Sequence, residues 1–100
     1  MFKLSSVASR YFEMEAPDNH QVLHIEPPKL KTLKRLNAWG KNRGSVDEAA
    51  QIVATIISKN REGRKVTLDM VMGWMNSDQL SAFLGEFLSW LNRAKANDPN

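Results

Sequence analysis

Two histidines, His20 and His24, are the residues of this 100-residue chain with the most chemistry in them. A metal site would need further ligands, with Asp18 and Glu26 the nearest carboxylates. Four residues apart, the histidines would share a helix face, but they fall in a turn and strand pattern, where solvent-facing positions are expected. Cysteine is absent, which removes disulfides, thiolate ligands and a cysteine nucleophile. A histidine-based nucleophilic site lacks a partner set. Glu13 and Glu15 are paired carboxylates on one exposed strand face, and acid–base work needs a pocket that shifts their pKa values. The Gly40–Gly44 stretch matches neither a phosphate-binding loop nor a dinucleotide fingerprint. The expectation is a non-enzyme with no cofactor, no metal and no catalytic residue.

The elements that would carry these groups are legible from pattern. Tyr11–Glu15 and Gln21–Glu26 flank the turn cluster Ala16-Pro17-Asp18-Asn19-His20 and predict a β-hairpin, with Leu23 and Ile25 on its inner side. Residues 2–7 are a candidate for another strand. After Pro27-Pro28 a helix is expected from 28 to 39, with Leu30, Leu33, Leu36 and Trp39 on one half and Lys31, Lys34 and Arg35 on the other. Gly40 and Gly44 should end it. Ser45 and Glu48 fit a capping box opening a second helix, whose stripe is Ala49, Ile52, Val53, Ile56 and Ile57. Thr67 caps a short third helix, with Val66 and Val71 placed as a staple. The last helix, 78 to 95, repeats Leu80, Phe83, Leu84, Phe87, Leu88 and Leu91 at helical spacing.

One α+β domain over 1–100 follows, with a β-rich segment 1–26, a helical part 28–95 and a flexible tail 96–100. The predicted core is Leu23, Ile25, Leu33, Leu36, Ile52, Val53, Ile56, Val71, Trp74, Leu80, Phe83, Leu84, Phe87, Leu88 and Leu91. No apolar run approaches the roughly 20 residues a bilayer requires. The start of the chain lacks the long apolar stretch of a signal peptide. A soluble intracellular domain is the expectation.

The net charge of +3 is unevenly spread. Between Lys29 and Lys65 ten bases stand against Asp47, Glu48 and Glu62; the remainder holds four bases and eight acids. Lys31, Lys34, Arg35, Lys41 and Arg43 form a candidate basic patch for steering acidic partners. Nucleic acid is the competing partner. The short helix has the length of a recognition helix, but Leu68–Met75 contains no cation and carries Asp69.

Two features point to protein partners. Leu68, Met70 and Met72 make the short helix apolar nearly all round, and a helix of that kind is buried, in the chain or by a partner. Methionine adapts to varied surfaces. Ser81, Gly85 and Ser89 recur every four residues off the Leu/Phe stripe, where another helix can approach closely. The partner-binding candidates are thus Met70, Met72, Ser81, Gly85 and Ser89. Homo-oligomers stay open, since amphipathic helices pack within a chain or between copies.

The order of elements carries a resemblance over residues 22–95. Glu26-Pro27-Pro28-Lys29-Leu30-Lys31-Thr32-Leu33-Lys34-Arg35-Leu36 leads to an acidic-capped helix, Ser45 to Ser58. Lys59-Asn60-Arg61-Glu62-Gly63-Arg64-Lys65-Val66-Thr67-Leu68, a short helix, and a Leu/Phe helix ending in Trp90-Leu91 follow. The pattern resembles the small tail assembly chaperones of long-tailed bacteriophages and prophages. The resemblance implies a protein of the host bacterial cytoplasm that binds the tape-measure protein. It would keep that partner soluble until tail-tube subunits polymerise around it, making tail-tube protein a second implied partner. It also implies absence from the mature virion and, in some members, a longer frameshifted form. A small basic nucleic-acid-binding or regulatory protein is the alternative.

Overall fold

A computed structural model describes residues 1–7, 9–42 and 44–96. Two strands, β1 (Phe12–Glu15) and β2 (Val22–Ile25), precede four helices, α1 (Leu30–Asn42), α2 (Val46–Ser58), α3 (Leu68–Trp74) and α4 (Ser77–Ala96). The class is α+β, a short N-terminal hairpin with a helical bundle. Residues 2–7 form no strand: Leu4–Ser6 is a single 3₁₀ turn, and Met1, Phe2, Leu4 and Val7 are exposed. The segment has no strand neighbour, and an unpaired strand gains no hydrogen bonds. Of the expected tail, Ala96 closes α4, and 97–100 lie outside the described residues.

The hairpin register pairs Phe12 with Ile25, Glu13 with His24, Met14 with Leu23 and Glu15 with Val22. Strand alternation then sends Phe12, Met14, Leu23 and Ile25 to the inner face and Glu13 and His24 to the outer. The turn closes on Ala16, whose N–H donates to the Gln21 carbonyl (2.8 Å) and whose carbonyl accepts from the His20 N–H (2.9 Å). His20 takes a left-handed φ of 61° there.

Two strands alone are marginal in water. The loop after α2 supplies what is missing. Asn60 bridges Ile25 in antiparallel fashion, the Glu26 N–H donates to the Lys59 carbonyl (2.8 Å), and the Arg61 N–H donates to the His24 carbonyl (2.9 Å). Asn60 itself is buried. Its Nδ2 donates to the carbonyls of Ile57 (2.7 Å) and Arg64 (2.8 Å), and its Oδ1 accepts from the Arg64 N–H (2.9 Å). Ser58 Oγ donates to the Val66 carbonyl (2.8 Å) and accepts from the Val66 N–H (2.9 Å). Gly63, at φ 73°, makes the tight reversal between them.

The helix starts follow their caps. Ser45 Oγ accepts from the Glu48 N–H (3.1 Å). Thr67 Oγ1 accepts from the Met70 N–H (3.2 Å), with Val66 and Val71 buried as the staple. Asn76 and Gln79 cap α4 reciprocally, each side chain accepting from the other's N–H. α1 departs from expectation at both ends. It starts at Leu30 and runs through Gly40 to Asn42, because an exposed glycine weakens a helix by only about 1 kcal/mol. The chain turns at Gly44. There a Cβ would collide with the Trp39 ring and the Glu48 carboxylate, while Trp39 Nε1 donates to the Ser45 carbonyl (3.0 Å).

α2 is the central helix, with Ala49, Ala50, Ile52, Val53, Ala54, Ile56 and Ile57 all buried. Of the predicted core, Leu23, Ile25, Leu36, Ile52, Val53, Ile56, Val71, Leu84 and Phe87 are buried. Leu33, Trp74, Leu80, Phe83 and Leu91 are half-buried. Leu88 is a correction, 37% exposed, because it sits at the edge of the α4 stripe rather than at its centre. Phe12, unassigned from sequence, meets Phe83, Phe87 and Trp90 at ring-centroid distances of 5.4–5.8 Å and fastens the hairpin to α4.

Two substitutions test this arrangement by denaturant unfolding. Asn60→Ala should lower stability by about 1–3 kcal/mol for each buried backbone group it leaves unpaired. Leu84→Ala should cost about 2–5 kcal/mol, and Leu88→Ala clearly less.

Candidate functional site

Cations that are neighbours in sequence separate in space. Lys59 Nζ pairs with Glu26 Oε1 at 2.9 Å. Arg64 binds the Asp18 carboxylate, reaches Asn19 Oδ1 at 3.2 Å and lies over the Trp74 ring. Arg61 lies 5.1 Å over the Tyr11 ring. These three fasten the α2–α3 loop to the hairpin and to α3. Lys31, Lys34, Arg35 and Lys41 instead stand exposed on α1, without an ion pair among the described residues. Their helical spacing divides them: Lys34 and Lys41 follow one line through Asn37, and Lys31 and Arg35 another. Arg43 lies outside the described residues.

The partner-binding candidates also divide. Met72 is 46% exposed and lines a recess of about 60 Å³ between the start of α2, α3 and the start of α4, with Val46, Val71, Met75 and Leu80. Met70 is half-buried against the core, its sulfur accepting from the Thr67 N–H at 3.5 Å. Ser81, Gly85 and Ser89 are exposed along α4, and a Cβ at Gly85 would meet nothing within 4 Å. The structure therefore leaves the serines and glycine exposed along α4, and none of the three lines the recess that holds Met72.

A second groove lies between α1 and α4. Leu36, Trp39, Lys41, Leu84 and Leu88 line it, and its volume is about 310 Å³. Its floor is apolar and its α1 rim is basic.

The histidines part company as well. His20 is exposed, with Nδ1 2.6 Å from Glu15. His24 corrects the expectation of a solvent-facing residue, since its side chain is only 22% exposed. Nδ1 lies 2.6 Å from Glu62 Oε2, Nε2 lies 3.2 Å from Glu13 Oε2, and the Tyr11 ring meets the imidazole edge-on. The His24 backbone N–H also donates to Glu62 Oε1 (2.8 Å). Glu13 and His24 meet because the register sets them opposite each other. Glu62 comes from 38 residues away, so no local signal announces it. Among the described residues no three His, Asp or Glu side chains are grouped to hold a metal ion.

Two carboxyls are held below their ordinary values. For Glu62, ordinarily 4.5, the main cause is the hydrogen bond from the His24 backbone N–H, and partial burial opposes it. For Asp18, ordinarily 3.8, the main cause is the side-chain hydrogen bond from Arg64.

No protein-family model matches the chain, and neither the curated proteins nor the solved structures give a match. Among the described residues, no helix is long and apolar enough to cross a membrane.

A lowered folded-state pKa means the unfolded chain binds more protons in the carboxylate range, so stability rises with pH across that range. The melting temperature should be steady above the ordinary glutamate value of 4.5 as far as these two groups set it. It should then fall as pH drops toward their folded values. Glu62→Gln should lower it at neutral pH and flatten that acid slope. An unchanged slope would show that the loop–hairpin junction does not carry the acid sensitivity.

Proposed function

We propose that this chain is a non-enzymatic tail assembly chaperone of a long-tailed bacteriophage or prophage. In this reading it binds the tape-measure protein and holds it soluble while the tail forms around it. The observation that carries the reading is apolar side chain left in solvent on helices: Leu30 at 83%, Val46 at 65%, Met72 at 46% and Leu88 at 37% exposure. Val46 and Met72 line the α2/α3/α4 recess, and Leu88 lines the α1–α4 groove. Concave apolar surface is what an amphipathic helix docks on, and a holdase acts by lowering the free concentration of such a partner. The family part of this reading rests on the order of elements from β2 to α4, which resembles that of such chaperones. Tail-tube protein is a further partner in this reading, the host bacterial cytoplasm its compartment, and the finished virion would lack the chain.

A nucleic-acid-binding or regulatory role is the second reading, favoured by Lys31, Lys34, Arg35 and Lys41 on the exposed side of α1. Against it, α3 presents Asp69 and no cation.

Co-expression with a tape-measure protein decides between them. The first reading expects a complex that keeps the partner soluble; the second expects a salt-dependent shift of generic duplex DNA instead. Gly85 has open space around it, so Gly85→Leu should leave the melting temperature nearly unchanged. If the small-residue face of α4 takes part, it should reduce recovery of the partner. Equal recovery removes that face from the interface.

A further inference from the structure

The geometry points to the α1–α4 groove as a docking site for one acidic amphipathic helix of a different protein. This deepens the chaperone reading and rests on it for its biological meaning. The floor comes from two helices. Leu36 and Trp39 of α1 face Leu84 and Leu88 of α4 across a space of about 310 Å³. Along α1, Leu33 (half-buried) and Leu30 (exposed) continue on the same side, since 30, 33, 37 and 40 or 41 share one helix face. Leu88 in the groove and Leu30, further along the same side of α1, are exposed leucines that a docked helix would remove from water.

Charge selects the occupant. Lys41 lines the α1 side, and Lys34, seven residues earlier on the same helix line, extends that edge; neither has an acid paired to it among the described residues. They stand seven residues apart, about 10.5 Å along the helix. On the α4 side, the positions bordering Leu84 and Leu88 are Ser81, Gly85 and Asn92, none of them charged. A helix with leucines on one face and acids every seven residues along one flank meets both requirements. A second copy of this chain does not: its exposed apolar N-terminal stretch carries Lys3, its α1 holds no acid, and none of its described helices carries two acids seven residues apart, the nearest case being Asp78 and Glu86 of α4 at eight. Duplex DNA would satisfy the lysines and leave the leucine floor uncovered.

The test uses this 100-residue chain, ¹⁵N-labelled, and a synthetic helix of about 18 residues with leucine at i, i+4, i+7 and i+11 and glutamates seven apart on one flank. Chemical-shift changes should concentrate on Leu30, Leu36, Lys41, Leu84 and Leu88. A peptide with lysine in place of glutamate should bind about tenfold or more weakly, and added salt should weaken the glutamate peptide. The double substitution Lys34→Glu with Lys41→Glu should invert the preference, binding the lysine peptide better. That exchange cannot come from loss of folding. Leu88→Ala, a mild surface change, should weaken both peptides by about tenfold while the fold persists.

Failure to bind the glutamate peptide, shifts centred elsewhere, or equal binding of both peptides overturns the groove. Tighter binding of duplex DNA than of the glutamate peptide at the same residues also overturns it. The broader reading is tested separately: a tape-measure complex that survives the double substitution sinks the groove and spares the chaperone, whereas groove binding without any such complex does the reverse.

Discussion

Asn60 joins the two halves of the molecule. The hairpin cannot hold itself together in water, and the helices offer no strand to complete it. The loop after α2 resolves both problems by lying antiparallel along β2, and Asn60 makes that course obligatory. Its amide closes the C-terminus of α2, braces the reversal at Gly63 and keeps the bridging backbone beside Ile25. A buried amide whose three hydrogen bonds are all made is stable; the same amide deprived of one partner is costly. The loop therefore has little freedom to be elsewhere. α3 begins just after Val66, which Ser58 holds by both backbone groups, and so inherits its position from the loop.

Electrostatics reinforce that junction. The cations that look like one basic stretch in sequence serve two ends. Lys59, Arg61 and Arg64 engage Glu26, Tyr11, Asp18 and Trp74, and Glu62 grips His24 by backbone and ring together. Partly screened pairs of this kind contribute modestly one by one, and their effect here is to fix register more than to add stability. Among the described residues, Lys31, Lys34, Arg35 and Lys41 stay turned to solvent along α1, which gives that helix a basic outer side.

α1 and α4 differ from α2 in how they are held. α2 is buried around most of its circumference, while α1 buries Leu36 alone and α4 is secured by its Leu/Phe side and the ring cluster with Phe12. Peripheral helices attached by one narrow stripe leave their second apolar edge unoccupied. Leu30 and Leu88 are such edges, which is why the surfaces of interest lie on the outer helices and the chemistry-bearing side chains lie in the structural junction.

The amino-acid order by itself determined what local rules govern: the hairpin and the faces of its strands, the caps at Ser45 and Thr67, the staple of Val66 on Val71, the burial of α2 and the inward stripe of α4. Each depends on residues within a few positions of one another, where spacing decides the outcome. The ends of α1 escaped because glycine tolerates a helix as readily as it stops one, and Leu88 escaped because periodicity marks a stripe but not its exposed margin. Tertiary structure alone decided that Glu62 meets His24, that Phe12 joins the rings of α4, that the basic stretch divides, and that Lys41 looks across a groove at Leu88. Those are encounters between distant segments, set by the loop through Asn60, and no local pattern encodes a distance in space.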